Sequence, residues 1–69
     1  MDRDYSALIL KIRSKYLKFE DFANDLGINL TTLSNKLKGK TDWKREEMVK
    51  AAELLDLSPE EILFYFFNF

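Results

Sequence analysis

Thr31, Ser34, Asn35 and Lys38 stand at i, i+3, i+4 and i+7 in the stretch NLTTLSNKLKGKTDWKR (29–45), a spacing that puts four polar side chains on one face of a helix. Their chemistry suits base reading. An Asn amide pairs with adenine N6 and N7, Thr and Ser hydroxyls meet either a donor or an acceptor, and a Thr methyl touches the methyl of thymine. Asn35, Ser34 and Thr31 are therefore the candidate base readers, with Asn29 at the start of the same stretch. Lys36, Lys38 and Lys40, followed by Lys44 and Arg45, offer phosphate contacts that position a helix without reading sequence. The outward row lacks the Arg that usually pairs with guanine. Three lysines near an amphipathic helix are more often only a solvated face, so the row must be judged with the elements that carry it.

Other chemistry is poorly provided for. The chain has no Cys and no His, which removes disulfides, thiolate metal sites and the commonest general base. Carboxylate pairings such as Glu46 with Lys50 are ordinary i,i+4 ion pairs, and no glycine-rich phosphate loop is present. A non-enzyme without cofactor or metal is expected.

The carrier elements read as helices throughout, since 69 residues contain only two Gly and one Pro. Helix 1 is expected from Asp4 as N-cap to about Tyr16, with Leu8, Ile9, Ile12 and Tyr16 on one stripe. Helix 2, about 19–26, buries Phe22, Ala23 and Leu26 and stops at Gly27. Asn29 caps helix 3, about 30–38, with Leu30, Leu33 and Leu37 inward and Gly39 ending it. Helix 4, about 44–55, presents Met48, Val49, Ala52 and Leu55, with Trp43 against its first turn. In SPEE, Ser58 caps helix 5, Pro59 occupies its first position and Glu61 closes a capping box. Five short helices make a compact all-α fold, read as a single domain over 1–69 with an aromatic C-terminal tail at 62–69.

Within it, FEDFANDLGINLTTLSNKLKG resembles a helix-turn-helix: Ala23 is small where the second helix crosses, Gly27 makes the turn, and Ile28, Leu33 and Leu37 lock helix 3. From Asp4 to Phe67, the layout FANDLGINLTTLSNKLKGK followed by KREEMVKAAELLDLSPEEI resembles the small Cro-like helix-turn-helix regulators of temperate phages, especially the modulator-of-repression (antirepressor) type of lactococcal phages. The resemblance implies a switch regulator that favours lytic growth, by binding the lysogeny repressor in some members and operator DNA in others. Two positions depart from the pattern. Many relatives open helix 2 with Thr-Gln, whose amide holds the DNA backbone, whereas this chain has Lys18-Phe19; and Leu30 follows the helix 3 cap, where a polar reader is usual.

Charge is segregated along the chain. Residues 1–18 carry +3, 19–28 carry -3, 29–45 carry +4 and 46–69 carry -5, for a net -1. An acidic surface including Glu46 and Glu47 complements a basic one, such as the DNA-binding face of a repressor. ILFYFFNF ends the chain with more aromatic surface than one helix face can bury. With Ile62, Leu63 and Phe66 assigned to the core, Phe64, Tyr65, Phe67 and Phe69 remain as anchors for a protein partner or for a homodimer. The longest apolar run is too short to span a bilayer, and a cytoplasmic protein of the bacterial host is expected, with the phage lysogeny repressor as first partner and operator DNA as second.

Overall fold

The computed structural model describes residues 4–67 as five helices: α1 (Ser6–Lys15), α2 (Phe19–Leu26), α3 (Leu30–Leu37), α4 (Arg45–Leu55) and α5 (Pro59–Phe67). No strand occurs among the described residues. The all-α, five-helix expectation holds, with boundaries shifted by a residue or two. α1 starts later than expected: its N-cap is Tyr5, while the Asp4 carboxylate accepts the Ser6 backbone N–H at 2.9 Å. α3 ends at Leu37, with Lys38 as its C-cap.

α2, α3 and α4 each stop for a local reason. Gly27 takes a left-handed conformation (φ 88°), and Ile28 N–H reaches back to the Ala23 carbonyl at 3.0 Å. Gly39 (φ 79°) does the same after α3, where Lys40 N–H meets the Asn35 carbonyl at 2.9 Å. These are Schellman turns, in which the final carbonyls are satisfied without a further helical turn. After α4 the left-handed residue is Asp56 (φ 57°), with Leu57 N–H donating to the Ala52 carbonyl at 2.9 Å. α5 begins with the expected capping box: Ser58 N–H donates to Glu61 Oε1 at 2.9 Å and Glu61 N–H to Ser58 Oγ at 3.2 Å.

The helices close around Leu8 and Ile12 from α1, Phe22, Ala23 and Leu26 from α2, Leu33 from α3, Ala51 and Leu55 from α4 and Phe66 from α5. Trp43, on the loop before α4, joins this core between Tyr5 and Phe66, its ring centroid 6.4 Å and 5.0 Å from theirs in edge-on geometry. Tyr16 donates from its hydroxyl to Asp25 Oδ2 at 2.9 Å and packs edge-on to Phe22, tying the end of α1 to α2.

Three inward assignments are corrected. Leu30, at the first position of α3, is 44 % exposed and lies at the rim of the packing instead of within the core. Val49 faces solvent, and Ala51 takes its place: Met48, Ala51, Ala52 and Leu55 form the i, i+3, i+4, i+7 row that packs. On α5 the inner row is Ile62, Tyr65 and Phe66, so Leu63 is 62 % exposed and Tyr65 is half-buried, the reverse of the expected roles.

Candidate functional site

α3 is held by its cap and by its neighbours. Asn29 Oδ1 accepts the Thr32 backbone N–H at 2.7 Å, so this side chain works on the helix itself. Beyond it Thr31, Lys38 and Lys40 are exposed, and Ser34 and Asn35 are half-buried. The structure thus keeps Thr31, Ser34 and Asn35 on α3 and Lys38 at its C-cap, none of them buried.

Lys36 departs from the expected phosphate-contacting set. It shares the inward side of α3 with Leu33, is buried to 4 % exposure, and its Nζ donates to the Asp42 carbonyl at 2.9 Å. The same ammonium pairs with Glu47 Oε1 at 2.8 Å and lies 5.9 Å from the Trp43 ring centroid. Glu47 Oε1 also accepts the Lys44 backbone N–H at 2.8 Å, capping α4. One carboxylate therefore fastens α3, the 38–44 loop and α4 together. Neither Lys36 nor Glu47 presents a free charge to a partner. Burial pushes the Glu47 carboxyl up, but the hydrogen bonds from Lys36 and Lys44 and the charges of both lysines outweigh it and hold it below the usual 4.5.

The second candidate surface lies on α5, packed against α1 and α4. Leu63, Phe64 and Phe67 are 62 %, 51 % and 53 % exposed, and they share one side of the helix. Phe64 packs edge-on to Tyr65, whose ring is half-sunk against the core, at 5.0 Å between centroids. Glu60, exposed in the first turn of α5, stands with Leu63, Phe64 and Phe67 at i, i+3, i+4 and i+7 and so shares their side of the helix, while Glu46 is exposed on α4. Phe69 lies outside the described residues. Sequence reasoning missed Leu63 as part of this stripe, although its i, i+4 spacing from Phe67 was available as a signal.

A third feature was not anticipated. Ile9, Phe19, Leu30, Leu33, Ser34, Leu37 and Lys38 line an open groove of about 320 Å³ between α1, the start of α2 and α3. No group of three or more Asp and Glu placed to hold a metal ion occurs among the described residues, and none of their helices is long and apolar enough to cross a membrane.

Comparison with known families matches residues 1–69 to the family described as protein of unknown function (DUF739). The chain belongs to this family. A solved member of the structural neighbourhood is the solution structure of the modulator of repression of the temperate bacteriophage TP901-1 from Lactococcus lactis, 43 % identical to this chain. The similarity covers 99 % of this chain and 92 % of that one, with a TM-score of 0.81. A comparison with curated proteins found no match. The resemblance to small temperate-phage regulators of the modulator-of-repression type is thus borne out over the length of the chain.

Proposed function

We propose that this protein is a regulator of a phage lysis-lysogeny switch that promotes lytic growth by binding the lysogeny repressor and altering the repressor's access to DNA. The observation that carries this reading is the similarity, at 43 % identity across 99 % of the chain, to a phage modulator of repression. It acts as one helix-turn-helix domain in the cytoplasm of the bacterial host. The α5 stripe of Leu63, Phe64 and Phe67 supports a protein partner, because exposed aromatic residues on a small domain supply the anchors of an interface. Glu60 on the same side of α5, and the exposed Glu46 of α4, match a basic partner surface and speed its encounter. Tagged wild-type protein is expected to co-purify with its cognate repressor at moderate salt. Failure to do so removes the reading.

Direct operator binding by α3 is the second reading, favoured by the exposure of Thr31 on α3 and of Lys38 and Lys40 at and just after its C-terminal end. It requires a dimer, for which the α5 stripe is the available surface, with half-sites one helical turn apart. In a gel-shift series, Asn35→Ala then relaxes sequence preference, while Lys38→Ala weakens all sequences alike and flattens the salt dependence. Absence of any preference for switch-region DNA at low salt excludes it.

A further inference from the structure

α3 carries an apolar residue where its exposed end begins. Leu30, with Ile9, Phe19, Leu33 and Leu37, gives the groove beside α3 an apolar lining, and its polar members are Ser34 and Lys38. Lys38 makes no ion pair and no side-chain hydrogen bond among the described residues. A second cation flanks the same wall: the Arg13 guanidinium lies 5.7 Å from the centroid of the Phe19 ring. Glu20 and Asp21 follow Phe19 on α2, but α1, which contributes Ile9, and α3, which with its C-cap contributes the rest of the lining, come from the two basic blocks of the chain.

We infer that this groove is a docking site for a protein segment presenting one aliphatic or aromatic side chain with a carboxylate beside it. About 320 Å³ is at the small end of the roughly 300–1,000 Å³ typical of small-molecule pockets, and the groove is open along its length. It accepts an anchoring side chain rather than enclosing a whole ligand. Lys38, in the lining, and Arg13, over the Phe19 ring that forms part of the wall, set the charge of the occupant, since both favour an acidic group beside the anchor. Duplex DNA fits less well: its phosphates would face Leu30, Ile9 and Phe19, which offer them no donor. The groove residues belong to α1, α2 and α3, whereas the aromatic stripe belongs to α5, so both surfaces can be occupied at once. This site does not depend on the α5 reading.

The test is an NMR titration of the full chain with three probes. They are a helical peptide bearing leucines at i and i+4 flanked by glutamates, its counterpart with lysines in place of the glutamates, and a short mixed-sequence DNA duplex. The glutamate peptide is expected to give saturable shifts at Ile9, Leu30, Ser34, Leu37 and Lys38, with Phe64 and Phe67 unmoved. Lys38→Glu and Leu30→Gln are each expected to weaken it by about fivefold. Both residues are at the surface, so an unchanged melting temperature shows that the variants keep the fold. Equal binding of the lysine peptide, shifts confined to α5, displacement of the peptide by the duplex, or no saturable shift at all would overturn the proposal. So would groove shifts that follow protein concentration without peptide, which assign the groove to a second copy.

Discussion

Lys36 shows how a residue type misleads when its partner is distant in sequence. Its side chain is 5 % exposed, and its ammonium meets the carboxylate of a side chain that is 16 % exposed, eleven positions further on and across a loop. Helical spacing placed Lys36 near the end of α3 but carries no record of Glu47, so the pair was invisible in the sequence. Breaking a buried ion pair costs about 3–5 kcal/mol when one charge is left without compensation. Glu47→Gln keeps an acceptor oxygen but removes the carboxylate charge, leaving the buried ammonium uncompensated, and is expected to cost about 3 kcal/mol. Lys36→Met leaves Glu47 in partial contact with water and still capping α4, and is expected to cost about 2 kcal/mol. Urea denaturation of both variants checks the order as well as the size. The pair also sets an acid response. The folded carboxyl sits below its ordinary 4.5, so its stabilisation is complete above about pH 4.5 and is lost as the pH falls through the lower folded value. Urea midpoints between roughly pH 3 and pH 7 are expected to rise with pH in the wild type and to rise less steeply in Glu47→Gln.

Helix ends were far more legible than helix faces, because ends are specified by residues with one strong local preference. Gly27, Asn29, Gly39, Ser58 and Glu61 all act where their chemistry indicated. Faces are decided by packing, and two apolar neighbours around a helix compete for the same contact. Hence Val49 yielded to Ala51, and Leu63 yielded to Tyr65. The left-handed positions give matched predictions. A Cβ at Gly27 would approach only Lys50 Nζ, at 3.9 Å, so Gly27→Ala meets no steric block. Its expected cost of about 1–2 kcal/mol is purely that of a left-handed backbone. Asp56 already bears that strain and adds a negative charge at a helix C-terminus, so Asp56→Gly is expected to stabilise by about 0.5–1 kcal/mol. Ser58→Ala removes one arm of the α5 capping box and is expected to cost about 1 kcal/mol. Thermal unfolding of the three variants reads these signs directly.

At the scale of the whole molecule, the five helices of the described residues enclose one core, and the α5 stripe and the groove beside α3 are apolar surfaces that it leaves uncovered. Surplus aromatic residues and segregated charge made the α5 surface legible in the sequence. The groove was not, because it arises only when Ile9, Phe19 and Leu30 are brought together from three helices. Interaction with the repressor is expected to weaken as salt rises, since charge guides the encounter, but to persist, since the anchors are apolar. The most direct test of the account is light scattering of the protein mixed with its cognate lysogeny repressor, compared with a Phe64→Ser, Phe67→Ser variant. A stable mixed species with the wild type, lost in a variant that melts at an unchanged or higher temperature, is the expected result. A repressor that runs alone beside the wild-type protein at moderate salt, or a mixed species undiminished in the variant, would contradict it.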